Sequence, residues 1–129
     1  MNLKNRLIAE RLTKVHQRKH GRLLVVTGAR QTGKTTLATR IFTDHQLFSM
    51  DDPLVRPEYS RLTAKDWVRR FPLAVIDEIQ KLPALMDSIK ACYDSSPEVR
   101  YVLLGSSQIM LMKGIRESLA GRAAIYTLY

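Results

Sequence analysis

The sequence is poor in cysteine and lacks long apolar runs. Its single cysteine, Cys92, excludes an internal disulfide and fits a reducing cytoplasm, and we expect it to be a small buried apolar residue. The longest apolar runs are about four residues, as in residues 23–26, which is far short of a membrane span. The N-terminal segment carries charges throughout and has no apolar stretch typical of a signal peptide. We therefore predict a cytoplasmic protein without membrane insertion.

Clusters of metal-ligating side chains are missing from the sequence too. The three histidines, His16, His20 and His45, stand apart in polar segments, and no cluster of histidine and cysteine has metal-ligand spacing. We therefore predict no His/Cys metal site and assign no role to the histidines.

Acidic residues are the minority among the charges. The chain has 21 Lys and Arg against 12 Asp and Glu, a formal net charge of +9, and residues 1–22 contain Glu10 as their single acid. Such a basic segment could attract nucleic acid or acidic phospholipid. The alternative is the solvated face of an amphipathic helix. Its apolar stripe would comprise Leu3, Leu7, Leu12 and Val15. No aromatic residue lies among these charges to stack on bases, so nucleic-acid binding through the basic N-terminal helix stays an alternative.

A phosphate-binding pattern is the clearest feature that the sequence does contain. Residues 28–36 read GARQTGKTT and match G-x-x-x-x-G-K-[ST]. Its two glycines can take backbone angles closed to other residues, so that successive backbone N–H groups can cradle phosphate oxygens. Lys34 would reach the β- and γ-phosphates, and Thr35 would hold Mg²⁺ through its hydroxyl. The predicted nucleotide-binding residues are Gly28, Ala29, Arg30, Gln31, Thr32, Gly33, Lys34, Thr35 and Thr36.

The segments around this loop provide the context that it needs. The apolar run at residues 22–27 predicts a strand, and apolar residues spaced by four predict a helix over residues 34–44. A strand, a glycine loop and a helix in this order form a P-loop, and the helix N-terminus favours an anion. We expect the Lys34 side chain to be exposed in the empty loop.

A second motif, LAVIDE, occupies residues 73–78. Four apolar residues followed by two acids are typical of a Walker B strand, in which Asp77 would bind Mg²⁺ near Thr35. Glu78 would orient and deprotonate a water aimed at the γ-phosphate. GTPases usually lack this glutamate and no N-K-x-D guanine motif occurs, so the pattern favours ATP. The alternative for the two acids is a solvated strand end.

The third element is LLGSS at residues 103–107. It would end a strand beside the P-loop strand, where a polar side chain can touch the attacking water or the γ-phosphate. We assign this role to Ser106, with Ser107 as the second choice. Serine is also strongly preferred as a helix N-cap, and both explanations stay open.

Strands and helices alternate along the chain. We predict a first helix over residues 2–18 with Gly21 as its C-terminal cap, a capping box at residues 63–66 that opens a short helix through residue 70, and a helix starting at Pro83. Four further strands are predicted at residues 46–50, 73–76, 100–107 and 123–129, with a helical stretch over 108–120. This alternation predicts an α/β fold with a mainly parallel five-stranded sheet covered on both faces. We divide it into a basic helix, residues 1–21, and a P-loop core, residues 22–129.

Four segments in this order resemble the AAA-type ATPase core of a bacterial and archaeal family. They are GARQTGKTTL, LAVIDEIQK, LLGSSQ and ESLAGRA, within residues 22–129. In that family a C-terminal domain of unknown function, sometimes considered nuclease-like, follows the core. The resemblance implies a P-loop NTPase three-layer sandwich of additional-strand type. The family pattern continues past the position of Tyr129, so we expect an incomplete core, truncated at the C-terminus.

The resulting hypothesis is a Mg²⁺-dependent ATPase core that binds ATP and ADP, with Lys34, Glu78 and Ser106 as catalytic residues and Thr35 and Asp77 as metal ligands. The alternatives are a nucleotide-gated binding module with little turnover and a nucleic-acid-associated fragment. A homo-oligomer is a further hypothesis, in which Arg122 would be an arginine finger toward a neighbouring subunit. The alternative for Arg122 is a helix-end arginine that satisfies free carbonyls or pairs with Glu117.

Overall fold

A five-stranded parallel sheet forms the centre of the molecule. The computed structural model describes residues 2–28, 33–106, 114 and 117–128. The strands are β1 (Leu23–Gly28), β2 (Gln46–Ser49), β3 (Leu73–Asp77), β4 (Arg100–Ser106) and β5 (Ala123–Leu128). In the described segments the helices are α1 (Leu3–Gln17), α2 (Lys34–Ile41), α3 (Arg56–Ser60), α4 (Ala64–Arg70) and α5 (Leu85–Ser95), with 3₁₀ turns at Lys19–Gly21 and Ile79–Lys81.

The strand order confirms the predicted additional-strand fold. The strands run side by side in the order β2-β3-β4-β1-β5, and every pairing is parallel. β4 therefore lies between β1 and β3. Residues 23–26 of β1 are at most 2% exposed. Continuous burial of this kind requires cover on both sheet faces, which explains why these strands are unbroken apolar runs.

Two hydrophobic clusters cover the two faces of the sheet. One contains Trp67 of α4 and Ile89 of α5, packed with apolar side chains of β1, β3 and β4. The other contains Leu12 of α1 with Ala38 and Phe42 from α2 and its end. Alternate strand residues face alternate layers, so Leu23 belongs to the first cluster and Leu24 to the second. The sheet is thus the middle layer of a three-layer sandwich.

The predicted capping box at the start of α4 is confirmed. Thr63 Oγ1 accepts a hydrogen bond from the Asp66 backbone N–H at 3.2 Å, and the Thr63 backbone N–H donates to Asp66 Oδ2 at 3.0 Å. These reciprocal bonds satisfy two backbone donors that a helix N-terminus otherwise leaves unpaired. The bond from the Thr63 backbone N–H lowers the pKa of the Asp66 carboxyl, because it stabilises the ionised form.

The prediction that Gly21 caps the first helix was wrong. α1 ends at Gln17 with Arg18 as its extended C-cap, and Gly21 closes the following 3₁₀ turn without a positive φ. An ideal Cβ on Gly21 would lie 1.7 Å from the Val15 carbonyl oxygen. The glycine is needed because the chain passes too close to α1 for any side chain. Sequence spacing alone does not distinguish this close approach from a cap.

The predicted apolar stripe of α1 is only partly buried. Leu12 is 1% exposed and Val15 is half-buried, whereas Leu3 and Leu7 are 67% and 56% exposed. At 3.6 residues per turn, Leu3 and Leu12 lie on opposite sides of the helix, so the predicted stripe does not form one face that the sheet could cover. In the described part of the chain, no helix is long and apolar enough to cross a membrane.

Arg22 fixes the end of α5 in a way that the sequence did not predict. Its guanidinium donates to the carbonyl oxygens of Tyr93, Ser96 and Val99 at 3.0–3.3 Å and lies 4.0 Å above the centre of the Tyr93 ring. The last carbonyls of a helix lack partners within the helix, and a cation is favoured there. The residue that precedes β1 therefore links this strand to the C-terminal end of α5.

Candidate functional site

The predicted site residues gather where the parallel strands end. The pairing register sets Gly28 of β1 opposite Ser106 of β4, and Ser49 of β2 opposite Asp77 of β3. Because all strands run in one direction, their carboxyl ends share one edge of the sheet. We call this edge, with the N-terminus of α2 beside it, the strand-end site.

The side chains of Thr35 and Asp77 meet at this site. Thr35 Oγ1 donates a hydrogen bond to Asp77 Oδ2 at 2.8 Å, although the residues are 42 positions apart. Both side chains are half-buried. A hydroxyl and a carboxylate at this distance are oxygen ligands that Mg²⁺ accepts, directly or through its waters. In the described residues no group of three or more His, Cys, Asp or Glu could hold a metal, so a cation here would also need ligand or water oxygens.

The start of α2 has the backbone expected of an anion-binding turn. Gly33 adopts a left-handed conformation, with φ 72° and ψ 25°, immediately before the helix begins at Lys34. Glycine takes this conformation without strain, so the backbone conformation explains why the second glycine of the motif is needed at position 33. The free N–H groups of a helix start favour a phosphate.

The expectation that Lys34 is exposed was wrong. The residue is only 4% exposed, at the start of a helix that packs against β1, β3 and β4. A lysine is rarely buried unless a negative group compensates its charge. Its burial at this edge is compatible with a role toward an anionic ligand.

Four of the predicted loop residues, Ala29, Arg30, Gln31 and Thr32, lie outside the described residues, as does Ser107. Of the remaining predicted contacts, Gly28 is buried at the end of β1 and Thr36 is exposed on the first turn of α2. Ser106 is half-buried at the end of β4, level with Gly28. It therefore lies on the edge that the sequence predicted for it.

Glu78 has a special backbone conformation at the end of β3. With φ 55° and ψ 45° it is the single non-glycine residue with positive φ in the described segments. Its backbone N–H donates to Asp77 Oδ1 at 2.9 Å, so one carboxylate oxygen of Asp77 contacts Glu78 and the other contacts Thr35. Left-handed backbone in a non-glycine residue is strained and concentrates at functional sites.

Gln80 belongs to this site and was missed by sequence reasoning. Its Nε2 donates to Glu78 Oε2 at 2.5 Å, within the 3₁₀ turn that follows β3. The only signal in the sequence is its position two residues after the predicted acid. In a helix, a side chain two residues away would point elsewhere, and here the left-handed conformation of Glu78 leads into the 3₁₀ turn that contains Gln80.

Arg122 lies at the opposite edge of the sheet. It immediately precedes β5, and its Nε and Nη2 donate to the two carboxylate oxygens of Asp94 on α5, each at 3.0 Å. This bidentate pair lowers the pKa of the Asp94 carboxyl. The structure thus pairs Arg122 with Asp94 and not with Glu117. The predicted arginine-finger role stays a prediction that requires a second subunit.

The sequence also matches a family model. Residues 20–129 match the model described as AAA domain. The chain belongs to this family. The AAA domain therefore covers all five strands and the strand-end site, and membership supports a nucleotide-binding, ATPase-type function. No curated protein matches the sequence.

Solved structures resemble this AAA domain in fold. The DnaC helicase loader superposes with a TM-score of 0.65 at 13% sequence identity, over 100% of this chain and 92% of that one. PCH-2 of C. elegans superposes with a TM-score of 0.59 at 16% identity, over 96% of this chain but only 42% of that one. At these identities the likeness establishes the fold alone.

Proposed function

We propose that this AAA domain binds Mg²⁺–ATP at the strand-end site and hydrolyses it to ADP and phosphate. The observation that carries the proposal is the 2.8 Å contact between Thr35 and Asp77. It joins the hydroxyl of one predicted motif to the carboxylate of another across 42 residues. A structural hydrogen bond alone does not explain why this pair lies beside the helix start of a glycine loop.

Each residue has a part that follows from its chemistry. The free backbone N–H groups at the start of α2 would contact phosphate oxygens, and Lys34 would supply a positive charge there. Thr35 and Asp77 would hold the cation, which when bound neutralises phosphate charge and so favours attack by water. These two side chains are already joined by a hydrogen bond from Thr35 Oγ1 to Asp77 Oδ2.

Glu78 is the proposed general base, and Ser106 the proposed contact to the γ-phosphate or its attacking water. Glu78 directly follows Asp77 at the end of β3, and Ser106 ends β4, the strand that pairs with β3. A carboxylate that follows Asp77 directly can accept a proton from a water positioned near the phosphate. The same proposal divides the chain into a basic helix, residues 1–21, and a nucleotide-binding core, residues 22–129. It also includes a cytoplasmic location and a homo-oligomer in which Arg122 acts on a neighbouring subunit.

Nucleotide titration of a Lys34 variant tests the binding site. Lys34→Met keeps most of the apolar stem that the fold buries and removes the charge, so the fold should persist. We expect the affinity for Mg²⁺–ATP to fall by about 10- to 100-fold, because a charged hydrogen-bond partner of the phosphates is lost. Thermal melting of the same preparation checks the fold.

Lys65→Met is the matched control, since Lys65 is exposed on α4. It should bind ATP as the wild type does. If Lys34→Met melts normally and binds ATP with unchanged affinity, the phosphate-binding role of the loop is refuted.

A further inference from the structure

The turn after β3 holds Glu78 in a conformation that its own backbone disfavours. Its φ of 55° lies in the left-handed region, where a side chain meets steric conflict. No side-chain cap supports the 3₁₀ turn that begins here. Among the described residues, the Glu78 backbone bonds to Asp77 Oδ1 and to the Lys81 N–H, whereas its carboxylate accepts a hydrogen bond from the amide of Gln80.

The Gln80 amide is oriented by the Glu78 carboxylate. Nε2 donates to Glu78 Oε2 at 2.5 Å, whereas Gln80 Oε1 is buried without a hydrogen-bond partner among the described residues. Turning the amide over would bring its oxygen against the carboxylate oxygen, which is repulsive. The charge-assisted bond to Glu78 is therefore retained although it leaves an acceptor unpaired, and unpaired buried acceptors are unfavourable.

Gly105 makes room for this amide on the neighbouring strand. An ideal Cβ on Gly105 of β4 would lie 2.9 Å from Gln80 Oε1 and 3.6 Å from Ile79 Cγ2. The Gln80 side chain thus packs directly against the backbone of β4, one residue before Ser106. The turn that follows β3 and the end of β4 therefore meet at this point.

We propose that Gln80 is a positioning residue that orients the Glu78 carboxylate for general-base catalysis, and that Gly105 is required for Gln80 to lie there. The inference rests on the proposed function, because it assumes that Glu78 accepts the proton from water. Gln80 acts through Glu78 and through the end of β4. It therefore affects turnover and not nucleotide affinity.

Two substitutions and their combination test this inference. Gln80→Ala removes the amide. Gly105→Ala keeps the amide but adds a methyl group in the space that its oxygen occupies. Gly105 does not have positive φ, and the clash is with the flexible end of a side chain, so this variant should fold. We expect each single variant to lower the ATPase kcat by about 10- to 100-fold, because the base is misplaced, with ATP affinity and melting temperature close to wild type.

The double variant separates positioning from general damage. If Gly105→Ala acts by displacing the amide, it has nothing to displace once Gln80 is alanine. The double variant should then be no slower than Gln80→Ala alone. Gln17→Ala, at an exposed position at the end of α1, is the matched control and should keep the wild-type kcat.

The outcomes distinguish this inference from the proposed function. A wild-type enzyme whose turnover depends on Glu78 but not on Gln80 overturns the positioning role alone. Additive losses in the double variant, or equal losses in kcat and affinity, likewise overturn it. A wild-type chain that binds ATP without turnover, or whose turnover is unchanged in Glu78→Gln, overturns the proposed function and this inference with it.

Discussion

At the scale of single residues, Thr35 connects the two predicted motifs. Its backbone belongs to the first turn of α2, and its hydroxyl reaches the end of β3 through Asp77. The contact is short and half-buried, so it fixes the helix start relative to the sheet. If the oxygens of Thr35 and Asp77 hold the cation, removing the Thr35 hydroxyl should weaken ATP binding more in the presence of Mg²⁺ than in its absence.

Thr35→Ala should therefore weaken ATP binding specifically in the presence of Mg²⁺. We expect the ratio of ATP affinities measured in excess Mg²⁺ and in EDTA to shrink about tenfold, as expected for the loss of a polar ligand to a charged group. Thr35→Ser should restore the ratio. Thr43→Ala, at an exposed position beyond α2, serves as the control. An unchanged ratio in Thr35→Ala would show that the hydroxyl is only structural.

Sequence reasoning at this scale succeeded where a motif fixes spacing and failed where a turn creates the contact. The meeting of Thr35 and Asp77 was expected, because strand ends of a parallel sheet share an edge. The Gln80 contact was not, because it depends on the left-handed backbone at Glu78, which no pattern of residue types signals. The burial of Lys34 was missed for a similar reason, since it depends on how α2 packs against three strands of the sheet.

At the scale of elements, His16 fastens α1 to the rest of the fold. Its Nδ1–H donates to the Gly21 carbonyl oxygen at 2.8 Å, so Nε2 is left as the acceptor for His45 Nε2–H at 2.9 Å. Burial lowers the pKa of His16 from 6.5 to about 4; nearby His45 and Arg100 also lower it, whereas the Gly21 carbonyl and Asp44 raise it. α1 is thus held by a histidine that must stay neutral.

This arrangement predicts a pH-dependent free energy of unfolding. Because the pKa of His16 is lower in the folded than in the unfolded chain, its stabilising effect is present above pH 6.5 and is lost as pH falls toward 4. The loss should total roughly 3 kcal/mol over this window. Urea unfolding of wild type and His16→Gln from pH 7 to pH 4 measures it.

The two free energies of unfolding should converge as the pH falls, because the glutamine does not titrate. His20→Gln, at an exposed position, should follow the wild type throughout. A constant difference between wild type and His16→Gln would contradict the account of the buried neutral histidine. The sequence suggested no role for either His16 or His45, since their contact joins residues 29 positions apart.

The strands were predictable and several element ends were not. Strands β1, β3 and β4 are apolar runs because both of their faces are covered, and such runs are visible in the sequence. The predicted start of α5 at Pro83 is two residues early, since the helix begins at Leu85, and α2 ends at Ile41 rather than near residue 44. The helical stretch predicted over residues 108–120 lies largely outside the described residues. Element ends depend on tertiary packing and caps more than on periodicity.

At the scale of the whole molecule, the parallel strands place the predicted site residues at one edge of the sheet and two structural arginines at the opposite edge. Gly28, Asp77 and Ser106 end their strands at the strand-end site. Arg22 and Arg122 precede β1 and β5 and bind the far end of α5 through its carbonyls and through Asp94. Within one chain Arg122 therefore cannot reach the strand-end site. A finger role would require it to leave Asp94 and act on a neighbouring subunit.

The strand order was predicted from the resemblance to AAA-type ATPase cores and not from the periodicity of apolar residues. Alternating strands and helices imply a parallel sheet but leave many possible orders. The insertion of β4 between β1 and β3 follows from the AAA-type pattern and is confirmed. It sets Ser106 beside Gly28 and makes the proposed contact of Ser106 to the γ-phosphate geometrically reasonable.

The claim that this site hydrolyses ATP is tested most directly by Glu78→Gln, with ATP turnover and ATP affinity measured on the same preparation in Mg²⁺. The substitution keeps size and hydrogen bonding but removes the base, so turnover should fall by about 10²- to 10⁴-fold while affinity stays close to wild type. Glu98→Gln, at an exposed position, should match the wild type in both. Wild-type turnover in Glu78→Gln would contradict the assignment of the base. ATP binding without turnover in the wild type would instead favour a nucleotide-gated binding module.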